Sequence, residues 1–128
     1  MTRSKTALAL GFLTLCARPA FAGDWTNAAQ YNGYGALSQD KFDVVINATA
    51  AGLHDELPPL PAGVFAANAL AYEMVYGRVT PFLEFARREG ARGADGLGML
   101  VEQAAESFFI WRGVRPETAP VIALLRGS

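Results

Sequence analysis

The chain is poor in the residues that build disulfides and the common metal sites. Its 128 residues include one cysteine, Cys16, and one histidine, His54. A single cysteine closes no internal disulfide, and one residue of each kind makes no Cys/His cluster. No metal site is therefore expected. An excess of charge of one sign is also missing: eleven Lys and Arg face twelve Asp and Glu, a net charge of −1. This balance gives no electrostatic reason to expect a nucleic-acid partner or an anionic membrane. No apolar run approaches the roughly 20 residues that cross a bilayer. Charged residues are scarce at 18%, and apolar residues reach 52%. A typical domain is about a quarter charged, so a solvating, disordered chain is excluded. The length suits one ordinary domain, and internal repeats and low-complexity tracts are missing.

The N-terminus supports two readings. Arg3 and Lys5 precede the uncharged run from Thr6 to Ala17, and Ala20-Phe21-Ala22 gives a small-x-small pattern before Gly23. This is the form of a secretory signal peptide over residues 1–22, which would make the remainder a small exported protein. The same residues, 4–17, contain good helix formers, and the reading is a helix. Their apolar side chains wrap most of the way round, so periodicity does not separate a buried helix from a signal core. Residues 18–40 read as loop with one short strand.

The segment Phe42-Asp43-Val44-Val45-Ile46 is a short, β-branched run that suits a strand covered on both faces, as in a parallel sheet. It ends in Asn47-Ala48-Thr49-Ala50-Ala51-Gly52. Open α/β sheets bind ligands beyond the carboxyl ends of their strands. Small residues there let a ligand approach the backbone; the alternative is a plain turn. Pro58, Pro59, Pro61 and Gly63 mark a loop. A further strand is expected near Leu70 to Val75. Thr80-Pro81 is a helix start, with Thr80 as cap and Pro81 at the first helical position. Gly90 is placed to end that helix. Asp95 is expected to cap a helix from Leu97 to Trp111. Leu97, Leu100, Val101, Ala104, Ala105 and Phe108 form its apolar stripe, and Met99 and Gln103 are neighbours on another flank. Gly113 stops the helix, and Pro116 is expected to open a last short one. His54 reads as a surface loop residue.

Three segments carry a resemblance: Phe42-Asp-Val-Val-Ile-Asn-Ala-Thr49; Tyr72-Glu-Met-Val-Tyr76 followed by Thr80-Pro-Phe-Leu; and Asp95-Gly-Leu-Gly-Met-Leu-Val-Glu-Gln-Ala-Ala followed by Phe108, Trp111, Gly113 and Pro116. In this order and spacing, over residues 41–126, they resemble the C-terminal part of the shikimate dehydrogenases. Upstream, Thr2-Arg-Ser-Lys5 is similar to the tail of that family's basic motif for the 2′-phosphate of NADP.

The resemblance implies an α/β fold, the second half of a Rossmann-like NADP-binding domain with C-terminal helices. Residues 1–96 would be the partial NADP-binding domain, without its first strand and glycine-rich loop. Residues 97–128 would be helices that pack toward a substrate domain outside this chain. The implied activity is the reversible, NADP-dependent reduction of 3-dehydroshikimate to shikimate in aromatic amino-acid biosynthesis, by a cytoplasmic enzyme. The family's catalytic Lys-Asp pair lies in its N-terminal domain, so no catalytic residue is expected in this chain and the fragment is expected to be inactive alone.

The implied cofactor contacts are Thr2 and Lys5 near the adenosine phosphate, Asn47, Ala48 and Thr49 along the cofactor, and Met74, Gly96 and Met99 near the nicotinamide. Gly96 is expected to be glycine because a side chain would collide with a ring lying against the helix start. Tyr76 and Gln103 would hydrogen-bond the substrate. Three departures from the family's pattern stand out: Glu73 in place of Asp, a link from Tyr76 to Thr80 one residue shorter, and Ala50 in place of Ser. The rival reading from another class is a non-catalytic remnant or binding module.

Overall fold

In the computed structural model, residues 5–10, 25–27 and 34–127 are described. Five strands form one sheet: β1 (Lys5–Leu10), β2 (Trp25–Asn27), β3 (Phe42–Asn47), β4 (Phe65–Glu73) and β5 (Arg92–Ala94). Their order is β2-β1-β3-β4-β5. Every pairing is parallel, with Leu10 opposite Asn47 and Asn47 opposite Glu73. Among the described residues, the α-helix α1 (Pro81–Arg88) lies between β4 and β5, and α2 (Leu97–Arg112) and α3 (Ala119–Arg126) come after β5.

The expected strand over Phe42–Ile46 is β3, flanked by a parallel partner on each side. Its Phe42 and Val45 are fully buried, as an inner strand of a covered sheet requires. Its partner β4 starts earlier than the apolar run near Leu70 suggests. Between Phe42 and Val44 the register moves from Phe65 to Leu70. Asn68, within this irregular stretch, has φ 61°, a conformation that Asn tolerates better than most residues. This bulge absorbs the extra residues of β4.

The helix expected over residues 4–17 is not what the structure contains at its start. Lys5–Leu10 is a strand, paired with β2 on one side and β3 on the other. Local helix propensity is a weak preference that tertiary pairing overrides. Residues 11–24 lie outside the described residues.

Helix α1 begins as its sequence dictates. The Thr80 side chain accepts a hydrogen bond from the Leu83 amide at 3.4 Å, and Pro81 occupies the first turn. Gly90, at φ 82°, follows the helix, and the Ala91 amide returns to the Ala86 carbonyl. This is the left-handed exit that glycine permits. Phe82, Leu83 and Ala86 are buried, whereas Glu84, Arg87 and Arg88 face solvent. The Phe65 ring lies 6.4 Å from that of Phe82 and 5.9 Å from that of Phe85, both tilted. Together with Leu37, Phe42 and Val64 they form the core.

Helix α2 runs from Leu97 to Arg112 and ends at Gly113, with φ 70°. Its stripe is only half covered: Leu97, Val101 and Ala105 are buried, but Leu100, Ala104 and Phe108 are exposed. The last turns also expose Ile110 (71%) and Trp111 (78%). Helix α3 starts at Ala119, with Pro120 in its first turn, and not at Pro116 as expected. Thr118 precedes it, and its hydroxyl donates to Glu102 at 2.6 Å. Arg115 is tied to Glu102 and Glu106. These ties to α2 hold residues 113–118 as a connection, so the helix waits for the next proline. Among the described residues, no helix is long and apolar enough to cross a membrane.

Candidate cofactor-binding edge of the sheet

Because all strands run the same way, their carboxyl ends share one edge. The chain turns from β1 to β2 on one side and to β3 on the other. The strand order therefore reverses between β1 and β3, and the crevice at such a point is where open α/β sheets take ligands. Asn47 closes β3 at this point, opposite Leu10 of β1.

The following residues gather on the same edge. Asn47 is completely buried. Its Nδ2 donates to Glu73 Oε2 at 2.8 Å, and its Oδ1 accepts from the Thr49 amide at 3.1 Å and the Thr49 hydroxyl at 2.8 Å. Thr49 in turn caps the short 3-10 helix Ala50–His54, accepting from the Ala51 amide at 3.3 Å. The small-residue loop is thus a hydrogen-bonded turn with a defined conformation, and Ala48 and Thr49 remain partly exposed on it. Met74 directly follows β4, and its amide donates to the Asn47 carbonyl at 3.1 Å. Gly96 stands two residues after β5, and its amide reaches the Val75 carbonyl at 3.4 Å.

Gly96 also has a reason within the protein's own backbone. A Cβ there would lie 2.2 Å from the Met74 carbonyl oxygen and 2.8 Å from its carbon. The helix start is pressed against the protein's own backbone, and only glycine fits. Asp95 contributes to the same start by accepting from the Leu97 amide at 3.4 Å, although the cap position itself is Gly96. Tyr72, from β4, reaches it as well. Burial first, and then the nearby Asp95 charge, raise its pKa above the ordinary tyrosine value, against a smaller lowering by the Met99 backbone. Met99 and Gln103 lie one turn apart on α2, the first partly buried and the second exposed. Tyr76 is 49% exposed just beyond Met74.

One expected contact, Lys5, is not brought to this edge. Lys5 begins β1 opposite Phe42, at the amino end of β3. Five residues separate it from the Leu10–Asn47 level, about 16 Å at the usual strand rise. Its expected place by the adenosine phosphate assumed a position after a strand, and the structure puts it at the head of one. Thr2 lies outside the described residues. His54 is exposed, as expected.

Sequence reading treated Glu73 only as a departure from a motif. It is in fact fully buried and accepts from Asn47, from the Thr80 hydroxyl at 2.9 Å and from the Val75 amide at 3.2 Å. The signal was a carboxylate closing an apolar strand. A groove of about 460 Å³ beside β5, lined by Arg78, Arg87, Asp95 and Arg126, contains none of these residues. Two of its arginines are engaged, Arg78 with Asp55 and Arg126 with Asp95. Among the described residues, no group of His, Cys, Asp or Glu can hold a metal ion.

Comparison with known proteins supports the resemblance. Residues 96–126 match the family model of the shikimate 5′-dehydrogenase C-terminal domain. The shikimate dehydrogenase (NADP(+)) of Methylobacillus flagellatus is 68% identical over 97 residues, covering 75% of this chain and 36% of that protein. That of Aromatoleum aromaticum is 70% identical over 87 residues, covering 66% of this chain and 31% of that protein. The chain thus spans about a third of the length of these curated relatives. Among solved structures, an Ael1 enzyme from Pseudomonas putida is 42% identical with a TM-score of 0.74, over 96% of this chain and 55% of that one. A chorismate mutase/shikimate 5-dehydrogenase fusion protein from Clostridium acetobutylicum is 26% identical with a TM-score of 0.77, over 95% of this chain and 51% of that one. In sequence this chain is similar to the C-terminal portion of the shikimate dehydrogenases, and its parallel sheet with helices is Rossmann-like as in these structures.

Proposed function

We propose that the chain provides the second half of the NADP-binding domain, and the C-terminal helices, of a shikimate dehydrogenase. The single observation that carries this is the convergence of Asn47, Met74 and Gly96 on one sheet edge beside the strand-order reversal. The names of the similar proteins give the cofactor and substrate classes: NADP(+) and shikimate.

The edge fits a dinucleotide. Its loop carries small side chains held in a hydrogen-bonded turn, and glycine at position 96 brings the start of α2 up against the end of β4. Asn47, Ala48 and Thr49 would lie along the cofactor, and Met74, Gly96 and Met99 beside the nicotinamide. NADPH, when bound, supplies the hydride for reduction of the 3-dehydroshikimate carbonyl. The protein's share in this chain is orientation. Met74 and Met99 offer a soft, apolar wall that excludes water. Tyr76 through its hydroxyl and Gln103 through its amide, both exposed residues, would hydrogen-bond the substrate's hydroxyl or carboxylate groups. Handling of the carbonyl proton is assigned to no residue of this chain, so the chain alone is inactive.

We divide the chain at residue 96. Residues 1–96 belong to the nucleotide-binding domain, and residues 97–128 face the substrate domain found in the longer relatives. Exposure of Ile110, Trp111, Leu124 and Leu125 supports this, since clustered apolar groups call for a covering surface. A cytoplasmic location follows from the same family reading.

The test is titration of the isotope-labelled chain with NADP+, followed by amide resonances. Shifts concentrated at residues 47–49, 74 and 96–99 are expected, with no shikimate oxidation by the chain alone. Shifts spread elsewhere, or turnover without a partner, would reject the assignment.

A further inference from the structure

We propose that Glu73 is the positioning residue of this edge: its buried carboxylate sets the conformation of the loop 47–52 that meets the cofactor. The proposal rests on the reading of that loop as a cofactor contact.

A carboxylate offers only acceptors. Glu73 Oε2 accepts from Asn47 Nδ2 at 2.8 Å and from the Thr80 hydroxyl at 2.9 Å, and Oε1 accepts from the Val75 amide at 3.2 Å. The orientation of the Asn47 amide group follows. Its NH2 must face the carboxylate, so its Oδ1 must face the other way. There it accepts from the Thr49 amide and hydroxyl. With its proton given to Asn47, the Thr49 oxygen is left to accept from the Ala51 amide at 3.3 Å. A relay of donors and acceptors therefore runs from the end of β4, through the end of β3, into the loop. No other arrangement of the Asn47 amide satisfies both the carboxylate and the Thr49 N–H.

Burial makes this relay strict. Glu73, Asn47 and Thr80 are all fully buried, so water does not substitute for a lost partner. Gly52 leaves the necessary space, since a Cβ there would come within 3.3 Å of Glu73 Oε2. The carboxylate also has a second arm, to Thr80 at the start of α1. That arm makes a control possible, because it leaves the loop through a different element.

The experiment uses the whole chain with Glu73→Gln, Glu73→Asp and Thr80→Val. Amide hydrogen exchange at Thr49 and Ala51 is measured against Ala91, whose amide bonds to Ala86 in the α1 exit. NADP+ affinity is measured by calorimetry. Gln keeps the volume but turns one acceptor into a donor. The expected result for Glu73→Gln is at least tenfold faster exchange at Thr49 and Ala51, unchanged exchange at Ala91, and at least tenfold weaker NADP+ binding. Asp, an acceptor-only carboxylate, should recover most of the affinity, and Thr80→Val should weaken binding less than threefold.

Unchanged exchange at Thr49 in Glu73→Gln would overturn the proposal whatever the affinity. Faster exchange with unchanged affinity would overturn it too. An equal loss of affinity in Thr80→Val would mean general loosening and also reject it. If the unmodified chain does not bind NADP+, the cofactor reading falls, while faster loop exchange in Glu73→Gln still supports Glu73 as the anchor of the loop.

Discussion

The Met74 carbonyl oxygen lies 2.2 Å from where any side chain at Gly96 would begin. The turn after β4 and the first turn of α2 therefore touch through backbone alone. This contact fixes the angle at which α2 leaves the sheet, and with it the position of Met99 and Gln103.

Replacing Gly96 with alanine should force the two segments apart. Overpacking of a tight contact costs about 1–3 kcal/mol. Urea denaturation of Gly96→Ala should show a lower midpoint with unchanged slope. A midpoint equal to that of the unmodified chain would mean that the helix start shifts freely.

Thr80 serves two partners at once. Its hydroxyl donates to Glu73 and its oxygen accepts from the Leu83 amide. Thr80→Ala removes both a helix cap and a buried hydrogen bond. The expected loss is about 2 kcal/mol, measured by chemical denaturation. Thr80→Ser should restore most of it.

The Phe82 ring is fully buried, 6.4 Å from that of Phe65. Truncating a core phenylalanine to alanine costs about 3–5 kcal/mol. Phe82→Ala should leave the chain largely unfolded at 37 °C, seen as loss of cooperative thermal melting. Phe82→Leu should keep a cooperative transition at lower temperature.

Tyr72 gives a pH signature. Its pKa is raised, chiefly by burial and then by the Asp95 charge, against the lowering effect of the Met99 backbone. The folded state holds the phenolic proton more tightly than the unfolded chain does. Its contribution to stability is then fully present below the ordinary tyrosine pKa and is lost as pH rises through the folded value. Stability curves at alkaline pH should fall less steeply for Tyr72→Phe than for the unmodified chain. Equal slopes would place the Tyr72 hydroxyl in an environment like water.

The elements that were legible in the sequence are those set by neighbours along the chain. Thr80-Pro81 starts α1 because a hydroxyl cap and a fixed proline φ act within one turn. Gly113 ends α2 because its left-handed conformation is local. The run Phe42–Ile46 reads as an inner strand because it is apolar and β-branched apart from Asp43, without the polar alternation of a strand open to water on one face. Motif order along residues 41–126 was equally legible, since it needs no folding to be seen.

What only the tertiary structure decided depends on pairing across distance. Lys5–Leu10 has a helix former's composition, yet two parallel neighbours make it a strand and carry Lys5 away from the carboxyl edge. Half of the α2 stripe stays exposed, with Leu100, Ala104 and Phe108 in solvent while Leu97, Val101 and Ala105 are buried. Glu73 reads as a lengthened aspartate, and its donors come from position 47 at the end of β3 and from positions 75 and 80 in the connection to α1. Local sequence fixes capping, turn and periodicity, because those energies act within a few residues. The partners of a buried carboxylate, or the backbone that a glycine must clear, exist only once the strands have met.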